Sequence, residues 1–237
     1  MSNPLLSGSA HEKDSAWKQA EGYEKEERPM RSVRKIVVKG SVDLVFFRAP
    51  NAHLVVAGEN QDAIRSVQTR FDGDKLVIEQ QGVSINVSGS GNVVITGSGG
   101  RFSIGGKGNS ISVGSLHAMV GIALPEAPSI RIKGSSDVTL YDLRQPELNL
   151  GIQGSGDIEA FGQVDHIDVQ VDGSGDVDVS ELVAVSAELS ISGSGDIDAH
   201  VTRSVKARVA GSGDIVVRGN PPIRDHSVAG SGHIKFK

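Results

Sequence analysis

The sequence predicts an all-β protein: a right-handed parallel β-helix with coils of about 18–20 residues, preceded by a short helical or disordered N-terminal segment. Three observations predict it. Gly-Ser-Gly-Asp recurs at a near-fixed interval through the C-terminal half, and apolar residues keep the same offsets from that motif in every unit. The unit is also too short to hold a βαβ crossover, which needs about 30 residues.

Residues 1–30 form a polar, charge-rich segment, with a short helical candidate from Asp14-Ser15 to Arg28 closed by Pro29. Asp14 or Ser15 can cap it. Ala16, Trp17, Ala20 and Tyr23 fall near one face, so the only Trp could dock this segment on the main body or on a partner. Short isolated helices are marginal in water, and a frayed tail is the simpler expectation.

Residues 31–237 read as one β-helical domain, with irregular coils and a hairpin over 31–125 and regular repeats over 126–237. Ile36 and Val38, then Val42, Leu44 and Phe46, alternate with other residues as strands with one buried face do. Val67, Thr69 and Phe71 lead into Asp72-Gly73, a turn dipeptide, and Leu76 and Ile78 return as the second arm of a hairpin. Gly-rich stretches at Gly89–Asn92, Gly97–Gly100 and Gly105–Gly108 alternate with β-branched runs such as Val93-Val94-Ile95 and Ser110–Val113. A flexible linker would not space Val and Ile so regularly, so narrow coils with tight corners are expected there.

The repeats begin with Gly-Ser-Ser-Asp at Gly134. Gly-Ser-Gly-Asp follows at Gly154, Gly173, Gly193 and Gly211, and Gly-Ser-Gly-His closes the series at Gly230, at intervals of 20, 19, 20, 18 and 19 residues. After each motif the next residue and the one two further on are apolar: Val138 and Leu140, Ile158 and Ala160, Val177 and Val179, Ile197 and Ala199, Ile215 and Val217, Ile234 and Phe236. Two residues before each Gly stand Ile132, Ile152, Val171, Ile191, Val209 and Val228. Each unit is therefore strand, bend, strand and Gly-Ser-Gly corner, and parallel stacking about 4.8 Å apart turns these positions into continuous apolar columns.

The corner chemistry has two readings. Glycine supplies backbone angles closed to other residues, while Ser and Asp side chains satisfy free corner amides. Alternatively, Asp137, Asp157, Asp176, Asp196 and Asp214 form a carboxylate column one coil apart, whose mutual repulsion a cation such as calcium would offset. The nine-residue period of calcium-binding β-rolls is absent, so the structural reading is preferred and no metal or cofactor is expected.

Several of these segments together resemble a known family. They are Ile36–Gly40 with Val42-Asp43-Leu44, the Phe71–Ile78 hairpin, the Ile122-Ala123-Leu124-Pro125 strand and the Gly-Ser-Gly-Asp coils. Over about residues 33–237 they resemble the auto-transporter adhesin head GIN domain, a bacterial domain of unknown function. The resemblance implies a β-helix in bacterial proteins that are often exported or lipid-anchored, and it supplies no catalytic residues.

Chemistry is otherwise scarce. No Cys is present, which removes thiolate zinc sites and catalytic thiols, and a net charge of −5 gives no case for nucleic acid. The seven His, at 11, 53, 117, 166, 200, 226 and 233, lack metal-ligand spacing; His226 and His233 suit an end cap. Gly106-Lys107-Gly108 is no phosphate loop, and no Gly-x-Ser-x-Gly elbow occurs. Asp165, Asp168, Asp172, Asp176 and Asp178 spread along the coils as a solvated face does, not as a convergent acid/base pair.

A non-catalytic scaffold or adhesin-like module with a protein or glycan partner is therefore expected. A self-assembling polymer resembling bactofilins is the alternative, and a polysaccharide-active enzyme ranks below both. Solenoid ends expose strand edges, and Asn220-Pro221-Pro222 with Lys235 and Lys237 discourage strand addition at the C-terminus; a small homo-oligomer stays open. No apolar run reaches the roughly 20 residues that span a bilayer. The N-terminus lacks a secretory signal, so the chain as written is expected inside the cell, whereas the resemblance implies the envelope.

Overall fold

The computed structural model describes residues 5–6, 15–81 and 116–237 in full, and the backbone alone of 83–87 and 93–97. Its body is a parallel β-solenoid of about five turns. The strands, in chain order, are β1 (Glu24–Arg28), β2 (Lys35–Gly40), β3 (Asp43–Arg48), β4 (His53–Gly58), then helix α1 (Gln61–Ser66), β5 (Val67–Asp72), β6 (Lys75–Gln80), β7 (Val83–Val87), β8 (Val93–Gly97), β9 (Ala118–Leu124) and β10 (Ser129–Gly134). The coils follow as β11 (Val138–Gly154), β12 (Ile158–Gly173), β13 (Val177–Gly193), β14 (Ile197–Gly211), β15 (Asp214–Arg218), β16 (Ile223–Gly230) and β17 (His233–Phe236).

The columns read from the repeat are present through β15, whereas Val228, expected in line after Val209, pairs with it but is exposed on the tail strand β16. Val138 pairs with Ile158, Ile158 with Val177, Val177 with Ile197, Ile197 with Ile215 and Ile215 with Ile234, all between parallel strands. A second set, Ile132, Ile152, Val171, Ile191 and Val209, aligns across β10–β14. Apart from Ile234 at the tail, these side chains are 2% exposed or less, and each fully buried aliphatic contributes about 1.5–3 kcal/mol. Coils of unequal length keep register because the extra residues bulge out of β11 between Leu140 and Leu143, and out of β13 between Asp178 and Leu182 against β12 and between Val179 and Val183 against β14.

The first coil is built from distant sequence. β2 lies parallel to β10, pairing Gly40 with Gly134, and β3 lies parallel to β11 on one side and β9 on the other. The N-terminal β region thus sits directly under the repeats and shares their core. The expected hairpin is β5–β6, with Gly73 at φ +62° in its turn. β7 and β8 pair antiparallel as a separate two-stranded sheet, so Val93-Val94-Ile95 lies in a hairpin and not in a coil. The Gly-rich stretches expected to make corners at Gly89–Asn92 and Gly105–Gly108, with the Ser110–Val113 run, lie outside the described residues, as do all but Gly97 of Gly97–Gly100.

The two ends differ. At the head, α1 buries Ala63 and Ile64 in the core, and charged β1 forms the last strand of one sheet by antiparallel pairing with β4. At the tail, β16 is exposed along its whole length. There Arg224 stacks over Phe236 at 4.4 Å and His226 meets the same ring edge-on at 5.4 Å, so His226 serves as part of a polar end cover.

The N-terminal segment departs from expectation. Among its described residues only Ala16–Ala20 is helical, as a 3-10 turn whose Trp17 N–H donates to the Ser15 hydroxyl, and Glu24–Arg28 is a strand. Gly22, at φ +88°, ends the helical path, and the open edge of β4 offers Glu24–Arg28 a ladder that an isolated helix lacks. Nor do its described residues fray. Trp17, Leu5 and Ala20 are fully buried against Val45, Val55, Ala57, Met119 and Ala123 on the outer face of β3, β4 and β9.

Trp17 fits because Gly121 leaves a hole under it. A Cβ on Gly121 would stand 2.8 Å from Trp17 Cη2 and 2.9 Å from Leu5 Cδ2. Gly121→Ala is therefore expected to lift the segment off the sheet, shifting the emission of the only tryptophan to the red while the far-UV strand signal persists. An unmoved emission maximum would show that the ring yields in place.

Candidate functional site

The aspartate column exists, and its first duty is to the backbone. The Asp137, Asp157, Asp176 and Asp196 carboxylates each accept, through Oδ1, the N–H of the corresponding Asp one coil on, at 3.1, 2.9, 2.8 and 2.7 Å. Asp214 accepts the N–H of His233 at 2.9 Å. In the same corners the carbonyls of Asp137, Asp157, Asp176 and Asp196 accept the N–H that follows the Asp of the coil before, as Ile158 N–H donates to Asp176 O at 2.9 Å. Corner amides thus find partners one coil away, as the structural reading requires.

The column starts one coil earlier than the repeat suggested. Asp43 Oδ1 accepts the Asp137 N–H at 3.1 Å across 94 residues of sequence. The signal was present in Gly40-Ser41-Val42-Asp43, which keeps the spacing of Gly and Asp but has Val in place of the second Gly and lies far outside the period. At the other end Lys235 Nζ binds Asp214 Oδ2 at 3.0 Å and, with the His233 N–H, holds the Asp214 carboxyl below the ordinary carboxylate range. Among the described residues no three His, Asp or Glu side chains are grouped to hold a metal ion.

Burial pushes the Asp43 carboxyl up, and the neighbouring Asp137 charge adds to the rise, against the Asp137 N–H, which lowers it. Because folding raises this pKa, the folded chain binds the proton more readily than the unfolded chain does. The group's favourable share is complete at low pH and is lost as pH rises through the raised value. Asp43→Asn, which keeps the accepting oxygen, is expected to melt higher than the parent at pH 7 and level with it below about pH 4. Thermal unfolding at both pH values checks this, and a parent more stable at pH 7 would contradict it.

Outside the corner, side chains of β3 and β11–β15 form rows on the outer face. One row runs Val45, Thr139, Glu159, Asp178, Asp198 and Val216. Beside it Phe47, Tyr141 and Phe161 stack with centroids 5.3 Å apart and planes at 17° and 5°. The Tyr141 hydroxyl accepts the Ala16 N–H at 2.8 Å, tying the stack to the N-terminal segment. Two clefts open along this face. One, of about 240 Å³, lies between Ala16 and Gln19 on one side and Asp43, Asp137, Asp157 and Glu159 on the other. The second, of about 230 Å³, is lined by Glu159, Ala160, Phe161, Asp178 and Glu181.

On the opposite face Asp168 and Glu188 are cross-strand neighbours. Burial, with Glu188 beside it, pushes Asp168 up, while the hydrogen bond and charge of Lys206 hold Glu188 down. One carboxylate pushed up beside one held down is a pattern an acid/base pair shows. Yet they stand side by side on a flat strand face, and Glu188 is engaged by both Lys206 at 2.5 Å and Arg208 at 3.6 Å. The described histidines are dispersed: His53 meets Glu27 at 3.1 Å, His166 meets the Ser186 hydroxyl at 2.9 Å, and His233 meets Asp214 at 3.3 Å. No described helix is long and apolar enough to cross a membrane.

The family model described as "Putative auto-transporter adhesin, head GIN domain" matches residues 33–221. No protein of curated function matches. Among solved structures, a "putative adhesin" from Bacteroides fragilis NCTC 9343 superposes with a TM-score of 0.62 at 20% identity, covering 90% of this chain and 96% of that one. A "putative adhesin" from Parabacteroides merdae ATCC 43184 gives 0.51 at 13%, covering 91% and 96%. A "putative lipid binding protein" from Parabacteroides distasonis ATCC 8503 gives 0.47 at 21%, covering 90% and 96%. At such identities the likeness speaks to the fold alone.

Proposed function

Because the chain belongs to the family of the auto-transporter adhesin head GIN domain, we propose that it is a non-catalytic, adhesin-like binding module of the cell envelope. The observation that carries this reading is the way outward side chains are held. They stand in straight rows on hydrogen-bonded coils, so the faces offer long, preorganised contact surfaces for a protein or glycan partner. General acid/base chemistry needs two groups converging on one reacting atom, and the raised and lowered carboxylates Asp168 and Glu188 instead share a flat face with basic neighbours.

The test is sedimentation with envelope fractions and binding to arrayed glycans, followed by mass spectrometry of the supernatant and light scattering of the protein alone. Saturable binding without released products, by a compact monomer or small oligomer, is the expected result. Oligosaccharides released from uronic-acid polysaccharides would replace the reading with an enzyme, and concentration-dependent filaments would replace it with a polymer.

A further inference from the structure

We propose that the cleft at the end of the aromatic stack, walled by Phe161 and rimmed by Glu159, Asp178 and Glu181, binds an organic cation, an alkylammonium or guanidinium group. The proposal supplies a ligand chemistry for the adhesive reading and rests on that reading only for its biological role.

The stack ends at Phe161 for a backbone reason. Phe47 and Tyr141 each have a ring neighbour on the next strand, and the far side of Phe47 leads to Ala123 under the N-terminal segment. On the side of β13 the register slips: Glu159 opposes Asp178, but Gly162 opposes Leu182, so two residues of β12 face three of β13. The bulge puts Ser180 and Glu181 where the next ring would stack, and the 230 Å³ cleft opens there. An aromatic ring face carries negative electrostatic potential and attracts a cation seated over it.

The rim selects the same chemistry. All three ionisable side chains lining the cleft are acids, and none of them forms an ion pair within the cleft lining. Asp178 accepts the Ser180 N–H at 2.9 Å. Arg218, two coils on, is bidentate to Asp198 at 2.8 and 2.6 Å. The three acids are not grouped closely enough to hold one metal ion, and the fourth wall is carbon. Carboxylates spread around an aromatic face match a larger cation that presents C–H and N–H surface together.

The experiment titrates the 237-residue chain with methylammonium chloride and, separately, with hexalysine, following backbone amide resonances at constant ionic strength. Saturable shifts confined to residues around 159–161 and 178–181 are expected. Phe161→Leu should weaken binding about two- to five-fold, the range of an exposed cation–π contact. Glu181→Gln should also weaken it, with the rest of both variants' spectra unchanged. Tighter binding of hexalysine than of the small cation would assign the group to a polymer, and equal binding to a free amine; both support the site. Absence of saturable shifts, insensitivity to Phe161→Leu, or equal occupancy by calcium would overturn it. Envelope binding that survives Phe161→Leu would leave the adhesive reading intact while removing this site from it.

Discussion

Gly173→Ala is expected to cost more than about 4 kcal/mol, lowering the melting temperature by roughly 8–16 °C for a chain of this size. The added Cβ would stand 2.1 Å from Gly154 O, and Gly173 holds φ at +147°, which L side chains rarely adopt. The oxygen cannot retreat, because it accepts the Ser174 N–H at 2.9 Å in the ladder that joins the two coils. The strain would therefore spread along the column, where Gly193 meets Gly173 in the same way at 2.1 Å. Gly73→Ala is the control: its φ is also positive, at +62°, but nothing lies within 4 Å of the new Cβ, and the expected loss is about 1 kcal/mol. Equal melting of the two variants would show that close approach of the coils is not what demands glycine.

Ile158→Ala should cost about 2–5 kcal/mol in urea unfolding. Ile158 is fully buried, with Val138 on one side and Val177 on the other, so truncation leaves a void that neighbouring coils cannot close without breaking register. Ile234→Ala removes the same atoms from the same column at the tail. In the column Ile234 has a neighbour, Ile215, on one side, and its side chain is partly exposed, so the loss should be less than half as large. Matching losses at the two positions would contradict a shared interior that thins toward one end.

The sequence made the stacked coils legible because side-chain identity repeats wherever backbone environment repeats. Gly154, Asp157, Ile158 and Ile152 each find their counterparts one coil on at the registers the motif implies. What it hid was long-range. Asp43 belongs to the column but is separated from Asp137 by β4–β10, so a periodicity confined to 134–233 omits it. The docking of Trp17 depends on an absence, the missing side chain of Gly121, on a strand about a hundred residues away, and amphipathic spacing within 14–28 could not reveal it. The candidate cleft was equally hidden. Phe47, Tyr141 and Phe161 each stand four residues after the corner Asp of their coil, Asp43, Asp137 and Asp157, but Asp43 lies outside the period, the two rings inside it make no pattern among six repeats, and the bulge at Ser180-Glu181 appears only as one extra residue.

The threading of the first coil dictates the order of assembly. β3 lies between β9 and β11, and β2 pairs with β6 and β10, so two of these four partners emerge from the ribosome only after residue 118 and a third after residue 138. Coils from β11 onward can be laid down one on the next as they are synthesised, each with its template already made. The N-terminal turn has no such template in front of it. It must wait for the chain to return, which makes its closure the long-loop step of folding and leaves nascent β3, and the β10 side of β2, unpaired in the interval.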